Sequence, residues 1–261
     1  MSEAFSVTRE HGVFELTLHR GKANAIDAAT SREMGAAFAS FRDDPDLRVA
    51  VVASGNPKFF SAGWDLKTAA AEGEAPDADY GEGGFAGLQA LPNLNKPVIA
   101  VVGGLCVGGG FELALACDLI LASTAARFAL PEIKAGTLAD AATLRLPRRI
   151  PHHVAMDLLF TGRWMEADEA ARWGLVGELL PPDALLPRAR DVARLLAAGP
   201  PLVFAAIKEV SRETEGMAFP RALARIAARQ FPTVAALYGS EDQREGPRAF
   251  AEKRAPVWQG R

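Results

Sequence analysis

Apolar positions along this 261-residue chain fall into three kinds of run. Residues 13–18, Val-Phe-Glu-Leu-Thr-Leu, alternate with the period of a half-buried strand, whereas 49–52 and 97–102 are unbroken and suit strands covered on both faces. Residues 29–41 set Met34, Ala37, Phe38 and Phe41 on one side of a helix, and 111–117 make a short apolar helix ahead of a further run, Leu119-Ile120-Leu121. Strand, helix and strand in that alternation predict an α/β domain whose ligands gather where strands run out into turns. Toward the C-terminus the period becomes helical, with Leu195, Val203, Ile207, Val210, Ala222, Ile226 and Phe231 interrupted by Pro200-Pro201, Pro220 and Pro232. The chain therefore divides into an α/β core at 1–186, carrying the site, and a helical region at 187–261. Several of those helices are too short to bury their apolar faces alone and are expected to pack on the core or on another subunit. Residues 68–84, rich in Ala, Glu, Asp and Gly without a clear period, read as a surface loop or a lid close to the site. No internal repeat stands out.

Composition narrows the classes of function. A hydrophobic fraction of 49% over this length agrees with a globular protein able to bury a continuous core. A formal charge of -3 provides no general field for a polyanion, so a small ligand is expected rather than nucleic acid or an anionic membrane. The N-terminus lacks the basic and then apolar run of a secretory signal, and the longest uncharged stretch is short and glycine-rich, so no membrane span is expected. Cys106 and Cys117 lie in apolar sequence with no CxxC, and read as buried thiols in a reducing cytoplasm. His11, His19, His152 and His153 have no metal-ligand spacing, and no metal site is expected. Arg145, Arg148 and Arg149 read as a solvated helix face, with contact to a ligand phosphate as the lesser alternative.

The chemistry concentrates in Gly108-Gly109-Gly110-Phe111-Glu112 and, after an apolar strand end, Leu130-Pro131-Glu132. A glycine turn opening a helix can present bare N–H groups to an anion, and the helix dipole favours negative charge there. Phe60-Ser61-Ala62-Gly63-Trp64, just after the 49–52 strand, can present a second N–H. One preorganised donor to a developing oxyanion is typically worth about 2.7–4 kcal/mol, so two would dominate the barrier. Taken alone, a glycine turn is a tight connection and a single glutamate is a helix-end charge or a surface pair. Two glutamates at this spacing beside glycine turns point instead to a pair that shares one water and divides the work of acid and base; which does which is open. No G-x-S-x-G, H-E-x-x-H or G-x-x-x-x-G-K-[ST] occurs. A dinucleotide site lacks the third glycine of G-x-G-x-x-G, and a catalytically silent scaffold would not need both glutamates.

At these residues the chain resembles the enoyl-CoA hydratase/isomerase family, the crotonases. The match runs from Arg20-Gly21-Lys22-Ala23-Asn24-Ala25 through the Phe60 to Leu66 motif, the triple glycine with Glu112, Leu130-Pro131-Glu132 and Thr161-Gly162-Arg163, over essentially the whole chain. The resemblance implies an α/β fold, a crotonase-like spiral of ββα units with a helical C-terminal trimerisation region, assembled as a homotrimer or a dimer of trimers. It implies an acyl-CoA substrate, coenzyme A being part of that substrate and no separate cofactor being used. The expected activity is hydro-lyase chemistry, the reversible gain or loss of water. By the same mapping Glu112 and Glu132 are the catalytic pair, and the N–H groups of Trp64 and Gly109 hold the thioester oxygen. Ala23, Ala62, Asp65 and Leu66 would lie along the coenzyme A path. Phe41-Arg42-Asp43-Asp44-Pro45, the stretch 70–79 and the ending 249–258 resemble a branch whose acyl group carries a quaternary ammonium. Trp64, Phe85, Phe111 and Asp140 are the acyl-pocket candidates for such a cation, ordinary core packing being the other reading of Phe85 and Phe111. A general 2-enoyl-CoA hydratase is the alternative. One departure stands out: where that branch tends to carry glycines, this chain reads Ala139-Asp140-Ala141-Ala142-Thr143.

Overall fold

The two unbroken apolar runs become Val49–Ser54 and Val98–Val102, the central strands of a six-stranded sheet. In the computed structural model, which describes residues 2–73, 75 and 78–261, the sheet order is Phe5–Glu10, Val13–Leu18, Val49–Ser54, Val98–Val102, Leu119–Ser123 and Glu178–Leu180. The first pair is antiparallel and the others are parallel. Alternate residues serve opposite faces, as the pleat requires. Ala50, Val52, Ala100 and Val102 join a core with Met34, Phe38, Phe41 and Phe111. Val49, Val51, Ile99 and Val101 join a second one with Leu185, Ala189 and Ala193 of the helix Pro182–Ala197.

That helix explains a departure from the sequence pattern. Glu15, expected on the solvated face of Val13–Leu18, is buried, and Arg190 of Pro182–Ala197 pairs with it at 2.7 Å. The helix covers the face, and the guanidinium replaces water as the partner of the carboxylate. The same helix runs across position 186–187, where the two regions were expected to divide, and the packing that stands apart from the sheet is a small cluster of Ala206, Phe231 and Val234.

Three times the chain leaves the large sheet, adds a short strand to a four-stranded sheet and turns into a helix. The units are Val49–Ser54, Phe59–Ser61 and Leu66–Glu72; Val98–Val102, Leu105–Val107 and Gly109–Ala116; Leu119–Ser123, Arg127–Ala129 and Glu132–Ala135. This is the strand–strand–helix spiral that the resemblance implied. Its sequence similarity is hidden because the second strands are only three residues long and the helices differ in length. Those second strands stack in parallel, so the turns that follow all open at one end of the small sheet.

Leu66–Glu72, part of the expected loop at 68–84, is a helix capped by Asp65 and closed by Gly73 at φ 71°. Asp65 accepts from the N–H groups of Lys67 and Thr68, a strong helix start that the Ala-rich composition does not advertise. Glu74, Pro76 and Asp77, within the 70–79 stretch, lie outside the described residues. Both cysteines are buried, with thiols donating to the carbonyls of Gly110 and Leu113. All four histidines are exposed. Among the described residues no helix is long and apolar enough to cross a membrane.

Candidate active site

The site forms where two of those turns touch. Ala25–Ile26 pairs in parallel with Gly63–Trp64, and the ladder continues into the bonds Ala62 N to Ala23 O and Asp65 N to Ile26 O, both 2.9 Å. Asp65 caps its helix and also pairs with Arg20 at 2.6 Å, while the same guanidinium reaches Asp27, the N-cap of Ala28–Asp43. One arginine thus ties two helix starts together. Burial pushes both aspartates up, but their hydrogen bonds and Arg20 outweigh it, and each is held below the usual carboxylate range. Gly63, at φ 81°, lies so close to the next turn that a Cβ there would sit 2.6 Å from the Gly109 nitrogen. Trp64 and Gly109 are therefore brought side by side. The N–H of Gly109 is at the first turn of Gly109–Ala116, where no intrahelical acceptor exists.

A cavity of about 230 Å³ opens over these turns, lined among others by Trp64, Tyr80, Phe85, Gly109, Glu112, Glu132 and Asp140. Both glutamates face it. Glu112 projects from the first turn of its helix, and its two oxygens are separately held: Oε1 accepts from Ala142 N at 2.9 Å and Oε2 from Gln89 Nε2 at 3.1 Å. Glu132 begins the short helix Glu132–Ala135, and its Oε1 lies over Gly108, where a Cβ would be 2.7 Å away. Its Oε2 is buried with no hydrogen-bond partner.

These surroundings separate the two carboxyls. Burial pushes Glu132 up to about 7, helped by the charge of Glu112 and offset only by its own backbone N–H. Burial and then Asp140 push Glu112 up as well, but the donors at Ala142 and Gln89 pull it back. Burial thus favours the protonated form of Glu132, while Glu112 has two donors that favour its charged form.

The structure brings Phe85 and Asp140 to the cavity, and the Tyr80 ring meets Phe85 edge-on at 5.4 Å. Ala23, Ala62, Asp65 and Leu66 form a continuous backbone ledge beside Trp64, with the Leu66 side chain exposed. Phe111 is not brought to the cavity. It is fully buried and packs on Phe128 at 5.1 Å, because the turn that aims Glu112 at the cavity sends its neighbour into the core. Residues 139–143 need no glycine: Asp140–Arg145 is helical, and none of its residues takes a positive φ. Arg145 also departs from expectation. Unlike the exposed Arg148 and Arg149, it turns inward and donates to the Gln89 carbonyl at 2.8 Å. Gln89, Tyr80 and the Ala142 N–H were not legible beforehand. A polar Gln89 within Leu88-Gln89-Ala90-Leu91 is the only trace, and a backbone donor leaves none.

Paired carboxyls beside paired turns on a strand–strand–helix spiral define an acyl-thioester hydratase type of site, and residues 8–261 match the enoyl-CoA hydratase/isomerase family, to which the chain belongs. Among curated relatives, carnitinyl-CoA dehydratase of Salmonella arizonae is 54% identical over 261 residues, and that of Citrobacter koseri 53% over 265, each covering 100% of both chains. Among solved structures, an enoyl-CoA hydratase from Mycobacterium tuberculosis H37Rv superposes with a TM-score of 0.89 at 37% identity, covering 100% of both chains. One from Geobacillus kaustophilus gives 0.88 at 33%, covering 100% of this chain and 98% of the other.

Proposed function

We propose that this protein is a hydro-lyase that removes water reversibly from carnitinyl-CoA to give crotonobetainyl-CoA. The observation that carries the reading is the pair of unlike carboxyls opening into one cavity, one held by two donors and the other with a buried oxygen left for a partner. The thioester oxygen sits at the N–H groups of Trp64 and Gly109, which stabilise the enolate as it forms. In the hydrating direction Glu112 takes a proton from water, the resulting hydroxide adds to Cβ, and Glu132 delivers its proton to Cα. Dehydration reverses each transfer: Glu132 removes the Cα proton and Glu112 protonates the departing hydroxyl. The steps are redox-neutral and use only these groups, the substrate and water, so no separate cofactor is required. Ala23, Ala62, Asp65 and Leu66 form the ledge along which coenzyme A lies.

The acyl end is supported by charge and shape. Trp64, Tyr80 and Phe85 provide aromatic faces and Glu112, Glu132 and Asp140 provide acids, with no Lys or Arg among the described residues lining the cavity. A trimethylammonium group is favoured by such a wall. Carnitinyl-CoA and its uncharged carbon isostere, 3-hydroxy-5,5-dimethylhexanoyl-CoA, differ only in that charge. We expect kcat/KM to favour the cation by at least about tenfold. Equal or faster dehydration of the isostere would replace this reading by a general 2-enoyl-CoA hydratase.

The pH profile has a defined sign. With Glu132 near 7, the protonated form needed for hydration is lost as pH rises through that value, so hydration should decline above about pH 7. A hydration rate still rising between about pH 7 and pH 9 would remove Glu132 as the acid.

Assembly as a homotrimer or a dimer of trimers is supported by the C-terminal helices. Phe219–Ala227 buries none of its residues, and Ile207, Phe219, Leu223 and Phe250 are exposed. Two buried, unpaired thiols favour a cytoplasmic setting.

A further inference from the structure

Behind the carboxyl pair lies a chain of contacts that the reaction scheme does not use. Arg145, half-buried on the helix Asp140–Arg145, donates from one guanidinium nitrogen to the backbone carbonyl of Gln89 at 2.8 Å, and its other terminal nitrogen is buried without a partner. Gln89, just after the tight turn at Phe85–Gly87, donates its side-chain amide to Glu112 Oε2 at 3.1 Å. The opposite oxygen of Glu112 is fixed by the Ala142 N–H, which belongs to the same helix as Arg145. One short helix therefore holds Glu112 twice, once directly and once through Gln89. Holding a half-buried arginine, with one nitrogen unpartnered, for a single carbonyl bond is costly unless that bond matters to its surroundings.

We propose that Gln89 is a positioning residue for proton transfer at Glu112: its amide fixes the plane of that carboxylate toward the cavity, and Arg145, gripping the Gln89 carbonyl, fixes Gln89. A carboxylate that must collect a proton from water gains from having one lone pair of each oxygen occupied by a fixed donor, since only the remaining directions face the reactant. The donor also favours the charged form of Glu112. Of the charged groups around Glu112, Asp140 opposes its ionisation, while the Glu112 charge pushes up both Glu132 and Arg145. Gln89 is the neutral member of this set, so it can be removed without changing the formal charge of the site.

The inference rests on Glu112 being catalytic, and the tests keep the two apart. Gln89→Met keeps the volume and removes the donor. We expect kcat for hydration to fall about tenfold with KM within about twofold, and the acidic limb of the pH profile to move to higher pH. Gln89→Ser, neutral and polar, withdraws the donor from Glu112 without an apolar group in the cavity wall and should move that limb in the same direction. In the ligand-free protein the Glu112 carboxyl carbon, followed by ¹³C NMR, should titrate at higher pH in both variants than in the wild type. An unmoved limb and unmoved titration overturn the role of Gln89, whatever the loss of rate, because a purely structural defect would not alter proton affinity at Glu112. If Glu112→Gln, measured alongside, retains full turnover, the catalytic pair and this inference fall together. If it is inactive while Gln89→Met leaves the limb in place, only the inference falls.

Discussion

Glu112→Gln and Glu132→Gln should each lower kcat by at least about 10²-fold while leaving KM within about threefold, since each removes a proton transfer and neither removes a contact to coenzyme A. The two variants should differ in stability. In the folded protein Glu132 sits near 7, against an ordinary value of 4.5, so its neutral form is the one the fold accommodates. Relative to the unfolded chain, the native state holds the extra proton between those values. Stability from this group is therefore present below 4.5 and is lost as pH rises through about 7. Replacing it by an uncharged amide should raise the melting temperature relative to wild type at about pH 8 more than at about pH 5. That pattern, together with the loss of kcat, separates removal of a catalytic acid from general damage; near-normal turnover in either variant would take that residue out of the mechanism.

The second large effect is expected at Gly63, which touches no reacting atom. Its φ of 81° is disfavoured for any L side chain, and a Cβ would lie 2.6 Å from the Gly109 nitrogen and 2.8 Å from the Val107 oxygen. Both are backbone atoms and cannot swing aside, so Gly63→Ala must push the two turns apart. If Trp64 and Gly109 jointly grip the thioester oxygen, the geometry of both donors is lost at once. Removing a single such donor typically costs about 10²–10³ in kcat, and Gly63→Ala should lose at least that much. Gly21→Ala is the matched control: that glycine also has a positive φ, but no atom lies within 4 Å of the added carbon. Strain at a turn alone would affect both variants similarly. A Gly63→Ala protein that folds and turns over within about threefold of wild type would show that contact between these turns is not what activates the thioester.

Much of this was legible in the chain. Unbroken apolar runs announced the two central strands, and the spacing of Met34, Phe38 and Phe41 announced the helix Ala28–Asp43. Glu112 and Glu132 could be singled out because glycine and proline leave a visible mark next to them. What stayed hidden has a common physical cause. Glu15 looked solvated because its partner, Arg190, is 175 positions away. The helix Leu66–Glu72 was obscured because its start depends on the Asp65 side chain rather than on composition. Phe111 could serve as an aromatic face for a cation or as core packing, and the sequence does not decide between them; adjacent residues on a helix face different directions, and beside Glu112 it belongs to the core. Gln89 and Ala142 act on Glu112 from 23 and 30 positions away, and the second does so with an N–H that every non-proline residue possesses. Distance along the chain, and chemistry carried by the main chain, are the two things a motif cannot display.

A crystal structure with crotonobetainyl-CoA bound tests the central claim most directly. The account predicts the thioester oxygen roughly 2.7–3.1 Å from the Trp64 and Gly109 nitrogens, with Glu132 at Cα and Glu112 on the water that adds at Cβ. An acyl group lodged away from the Glu112–Glu132 cavity, or a thioester oxygen turned from both nitrogens, would contradict it.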